Sequence, residues 1–109
     1  MNQIKWVFAF IVICTMGNTY AANHHQGGKV YDITSTRDGL LIRLEGKIVP
    51  TKCPNPNGWG WMLIPEENKT MISVVLAYFM QGKTNATIYT QGTVGSFCRV
   101  IQYDPHHKP

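Results

Sequence analysis

The chain has 109 residues, a formal net charge of +4 and three cysteines. That length allows one domain with a small core. The basic residues beyond Ala22 (Lys29, Arg37, Arg43, Lys47, Lys52, Lys69, Lys83, Arg99 and Lys108) are scattered and form no stripe, which argues against a nucleic-acid partner. Catalytic groups are equally sparse. His24 and His25 precede the first strand, and His106 and His107 follow the last. Asp38, Glu45, Glu66 and Glu67 suit a turn, a wet strand face and a helix start. No histidine is placed to activate Ser73 or Ser96, so no catalytic residue, metal or cofactor is expected.

Met1 to Lys5 is short, polar and positively charged, Trp6 to Cys14 is continuously apolar, and Gly17 to Ala22 turns small and polar. This order predicts a secretory signal peptide over 1–22, cleaved near Ala21 or Ala22. The apolar run falls short of the roughly 20 residues that cross a bilayer, so no stable membrane insertion is expected. A secreted or periplasmic location follows as an expectation. Cys14 leaves with the signal, and Cys53 and Cys98 are then expected to form one disulfide, since an exported domain of this size commonly needs a staple.

Asn23 to Gly28 is polar and glycine-rich and reads as a flexible lead-in, with the folded domain over 29–104 and a polar tail over 105–109. Lys29 to Ser35 gives a first strand. Asp38-Gly39 is turn chemistry. Leu40 to Val49 gives a second strand, with Leu40, Ile42, Leu44 and Ile48 on one face and Arg43, Glu45 and Lys47 on the other. Gly46 marks a bulge or bend in it. Pro50 to Gly58 cannot continue a central strand. Trp59 to Ile64 gives a third strand, ended by Pro65.

The helix is expected over Lys69 to Gln81, with Asn68 or Thr70 as cap, Glu66 and Glu67 at its positive end, and Gly82 as its stop. Its apolar residues cover about 200° of the circumference, more than one sheet surface needs. Either a small domain buries the whole helix, or Met71, Val74, Val75 and Tyr78 face a second subunit. Thr84 to Gln91 and Phe97 to Tyr103 complete the strands. The order β-β-β-α-β-β predicts a mainly β fold with one helix: a five-stranded, OB-like Greek-key barrel. An open α+β sandwich is the alternative.

The stretch Cys53 to Trp61 (CPNPNGWGW) places Trp59 and Trp61 two residues apart, on one face if the backbone is extended. Bordered by Gly58 and Gly60, the indoles would form a platform for a sugar ring, with Asn55, Asn57 and Gln91 bonding hydroxyls. The other reading turns both indoles into the barrel core.

Leu76 to Lys83, running into Thr84 to Tyr89, is similar to the helix-end, glycine and strand passage of a group of bacterial toxin B subunits. These are the pertussis-toxin and subtilase-cytotoxin type, which assemble five B chains under one A chain. The signal peptide, the compact disulfide-bonded OB-like domain and the single helix resemble that group too. The resemblance implies a homo-oligomeric ring of five, helices around a pore, recognition of cell-surface glycans or glycoconjugates, and a possible toxin A chain as partner. The alternative is a monomeric exported domain that binds a protein, as an inhibitor or an envelope-stress factor.

Overall fold

A computed structural model describes residues 23–106. Residues 1–22, over which the sequence predicts a signal peptide, and the last three residues lie outside the described part. Five strands and one helix follow in order: β1 (His25–Thr36), β2 (Gly39–Leu44), β3 (Met62–Pro65), α1 (Lys69–Met80), β4 (Asn85–Val94) and β5 (Phe97–Pro105). The chain is therefore mainly β with one helix, and Cys53 and Cys98 form its disulfide.

The strands pair in the order β1-β2-β3-β5-β4, and β4 returns to β1, so the sheet closes into a barrel. The first half of β1 pairs with β4 and the second half with β2, both antiparallel. The short β3 joins β2 antiparallel and β5 parallel. Inside lie Ile42, Leu44, Met62, Ile64, Ala86, Ile88, Cys98 and Val100. Alternation holds well in β4, where Ala86, Ile88 and Thr90 are buried. It fails in β2, where Leu41 is buried as well, opposite the buried Leu63 of β3.

Several boundaries differ from the sequence reading. His25 to Gly28 belong to β1, paired with Tyr89 to Ala86, and are not a flexible lead-in. Backbone pairing needs no large side chain, and Gly28 passes so close to Leu44 that a Cβ would lie 3.3 Å from its Cδ1. Strand β2 ends at Leu44, because Gly46 (φ 82°) and Lys47 (φ 57°) adopt left-handed conformations in a 3-10 turn over Glu45–Lys47. Ile48 thus leaves the inner row and is exposed. At the far end, Pro105 still pairs with Ala86, and the His106 amide donates to the Asn85 carbonyl, so the polar tail begins later than expected.

Helix α1 stops where Gly82 (φ 75°) turns left-handed and the Lys83 amide closes on the Tyr78 carbonyl. Asn68 occupies the N-cap position, but its side chain makes no capping bond. Val75 is fully buried, and Met71, Ile72, Val74 and Phe79 pack partly against the core. Val75 therefore cannot face a second subunit: it is committed to its own barrel. The wide apolar arc is explained by two open clefts that flank the helix. One, of about 450 Å³, lies between Met71, Val74, Ile101 and Tyr103. The other, of about 320 Å³, lies between Ile72, Leu76, Leu40 and the Thr36–Arg37 turn. Beyond them Met80 is 83% exposed.

Tyr103 lies beneath this helix. Burial, followed by the neighbouring Tyr78, raises its phenol above the ordinary tyrosine value. Its hydroxyl is buried and meets no hydrogen-bond partner among the described residues.

Candidate ligand-binding surface

The loop between β2 and β3 is shaped by a few strong local constraints. Cys53 is buried and bonded to Cys98 of β5, across 45 residues of sequence. A cross-link spanning that length stabilises the fold by about 4 kcal/mol through the unfolded chain's lost entropy. Asn55 sits at φ 51°, a left-handed conformation asparagine tolerates, and its Oδ1 accepts from the Gly60 amide at 3.0 Å.

Asn57 ties more together. Its Oδ1 accepts from the amides of Trp59 (2.8 Å) and Trp61 (3.3 Å). Its Nδ2 donates to the carbonyls of Trp61 (3.1 Å) and Ser96 (2.9 Å), the latter in the β4–β5 turn. Gly60 (φ 80°) lies against the backbone of Lys47, where a Cβ would come 2.7 Å from the Lys47 carbonyl oxygen. Of the two asparagines expected to bind sugar hydroxyls, Asn57 is therefore spent on backbone groups, and Asn55 commits its Oδ1 to the loop.

The tryptophans are not strand neighbours either. β3 starts at Met62, because Gly58 and Gly60 both hold positive φ and break the extended run. Trp59 is 60% exposed, and Trp61 is half-buried. Each indole meets a cation. The Arg43 guanidinium stands 4.2 Å from the Trp61 ring centroid and 5.1 Å from that of Tyr31. The Lys47 ammonium stands 5.6 Å from the Trp59 centroid. Such contacts contribute about 0.5–1 kcal/mol each at exposed sites.

Arg43 is fixed from a third side by Asp32, at 2.7 Å, although its Nε is buried and makes no hydrogen bond among the described residues. The register explains this cluster. Tyr31 is the extra residue of a β-bulge between the pairs Val30↔Leu44 and Asp32↔Arg43, so Val30 points inward, Tyr31 is exposed, and Asp32 comes opposite Arg43. The result is an outer cluster of Tyr31, Arg43 and Trp61, with Lys47 and Trp59 as a second cation–indole pair on the same β2–β3 connection.

Gln91 does not join it. It lies in the irregular stretch of β4 between Thr90 and Thr93, and the Thr90 amide donates to the His24 carbonyl. His25 stacks on Tyr89, and His106 lies 2.6 Å from the Thr87 hydroxyl, two residues along the same strand; His107 lies outside the described residues. Among the described residues no group of His, Cys, Asp and Glu is placed to hold a metal ion, and no helix is long and apolar enough to cross a membrane.

Comparison with protein-family models gives no match, and neither a curated protein nor a solved structure matches this chain. Sequence reasoning located the two tryptophans but missed Tyr31, Asp32, Arg43 and Lys47. Arg43 and Lys47 could have been found from the outward row of β2, whereas the bulge that presents Tyr31 leaves no local signature.

Proposed function

We propose that this is an exported, non-enzymatic binding protein of OB type, assembled as a toxin-B-like ring, that recognises glycans through the surface built around Trp59. The closed order β1-β2-β3-β5-β4, with the helix between β3 and β4, supports the OB assignment. OB folds carry oligosaccharide and oligonucleotide ligands on the face of strands 2 and 3. Here that face holds Arg43 of β2 and Trp61, next to β3.

The observation that carries the reading is the 60% exposure of Trp59 on a loop held by a disulfide and the Asn57 bonds. A fixed, solvent-facing indole binds a sugar's C–H face at low ordering cost. The ring is supported by the two clefts beside α1 and by exposed Leu76 and Met80. Met71, Val74 and Tyr78 remain as helix residues of the proposed contact. The second reading, a monomer whose loop binds a protein, is favoured by the commitment of Val75 to its own core.

Light scattering on the oxidised protein separates the two: a mass of several chains fits the ring, and a single-chain mass sinks it. A glycan array then tests the surface. Trp59→Ala should abolish binding and Trp61→Ala weaken it; a folded Trp59→Ala protein that binds as well as wild type removes the glycan site.

A further inference from the structure

The chain contains a single Asn-Gly pair, Asn57-Gly58. Asparagine before glycine is the chemically labile form of asparagine, because no side chain shields the following amide nitrogen from the asparagine carboxamide. The Gly58 nitrogen gives up its proton and attacks Asn57 Cγ. A nitrogen–carbon bond forms, the Cγ–Nδ2 bond breaks, and ammonia leaves. The resulting five-membered imide then takes up one water at either carbonyl, giving aspartate or isoaspartate. The net exchange is water in and ammonia out, with no change of oxidation state.

In the folded loop every reacting group is held. The Gly58 amide donates to the Asn55 carbonyl at 2.9 Å. The Asn57 carboxamide is held by four hydrogen bonds, to Trp59, Trp61 (two) and Ser96. Attack requires breaking these bonds and rotating the side chain, so reaction must proceed from an opened loop. The anchor at Ser96 lies two residues from Cys98, and the loop starts at Cys53, so the disulfide fixes both ends of the Asn57–Ser96 bridge. Both cysteines are buried, which keeps the bond from reductants while the barrel is closed.

We propose that Asn57 is a conditional deamidation site, inert in the disulfide-bonded fold and released when the Cys53–Cys98 link is lost. The change is one-way. The aspartate or isoaspartate product lacks the two Nδ2 donors, and its carboxylate would face the carbonyls of Trp61 and Ser96. The donor bonds to Trp61 and Ser96 cannot then re-form, even after the disulfide is restored, although an aspartate product still accepts from the tryptophan amides.

The test incubates three samples at mildly alkaline pH: the disulfide-bonded protein, the Cys53→Ser/Cys98→Ser double variant, and a synthetic peptide covering 54–62. Peptide mapping with isoaspartate detection follows the reaction. The double variant should deamidate at Asn57 at least about tenfold faster than the disulfide-bonded protein, the factor that one to two lost hydrogen bonds are worth. The peptide should be faster still, or equal to the variant if the variant is unfolded. The proposal is overturned if the disulfide-bonded protein reacts as fast as the peptide. It is overturned too if the variant is as slow as the disulfide-bonded protein, or if Asn55, Asn68 or Asn85 reacts before Asn57.

Discussion

Replacing Asn57 with alanine removes every side-chain bond that seats the Trp59–Trp61 segment through this residue. Four contacts are lost, at 2.8, 2.9, 3.1 and 3.3 Å. A net hydrogen bond contributes ~1 kcal/mol when protected from water. The contacts to Trp59 and Ser96 are exposed, so water recovers part of their worth, and the 3.3 Å bond exceeds the usual N–H···O range. The expected cost is therefore about 2 kcal/mol, half of the simple sum. Urea denaturation of the oxidised protein reads it as a lower midpoint at unchanged slope.

Asn57→Asp supplies the control. It keeps acceptors for the two tryptophan amides and loses the donors to Trp61 and Ser96. Hydrogen exchange should find the Trp59 amide protected in Asn57→Asp and unprotected in Asn57→Ala. If Asn57→Ala unfolds within about 0.5 kcal/mol of wild type, the range of a neutral surface change, and its Trp59 amide stays protected, the asparagine does not build the loop.

Gly58 and Gly60 share a left-handed backbone but not their surroundings. Gly58→Ala meets no atom within 4 Å and should cost the conformational penalty alone, about 1–2 kcal/mol. Gly60→Ala would drive a Cβ to 2.7 Å from the Lys47 carbonyl oxygen, and should cost clearly more in the same denaturation series; equal costs would mean the β2 turn yields freely. Tyr103 gives a pH test. Its folded value is raised by burial, so the native state holds its proton more tightly than the unfolded chain does. That contribution is complete below the unfolded tyrosine value near pH ~10 and is lost as pH rises through the folded value. Tyr103→Phe should flatten this alkaline decline and leave neutral-pH stability equal or higher, because the lost hydroxyl had no hydrogen-bond partner among the described residues; an unchanged alkaline limb would place the titration elsewhere.

The element order and the helix stop were legible because both rest on local chemistry. Gly82 ends α1 through its own φ, and β4 announces itself by alternating Ala86, Ile88 and Thr90. The disulfide was legible because setting Cys14 aside leaves two cysteines to pair. What escaped were features set by contacts far along the chain. The early start of β1 depends on β4, some sixty residues away, and its glycines carry no strand signal. The bulge at Tyr31 follows from fitting Val30 inward against Leu44 while Asp32 reaches Arg43. Lys47 looked like the outer face of a strand, yet a left-handed turn carries its ammonium over Trp59.

The asparagines show how a site can be misread from composition alone. Asn55 and Asn57 beside tryptophans look like a carbohydrate-binding set, because amides and indoles are what sugars require. The same side chains are also what a loop requires when its backbone has left the sheet. Between Cys53 and Met62 the amides of Trp59, Gly60 and Trp61 have no ladder to join, and two carboxamides accept from all three. Once that need is met, neither Asn57 amide proton is left for a ligand, since both are directed at carbonyls. The polar group standing beside the exposed indole is then Lys47, a donor with no acceptor capacity. Arg43 is less open to a newcomer, being 13% exposed and already bonded to Asp32. A ligand on this surface must therefore bring its own acceptors to Lys47 and its apolar face to Trp59. Lys47→Met, which keeps the apolar stem and removes the charge, is the substitution that separates those two demands.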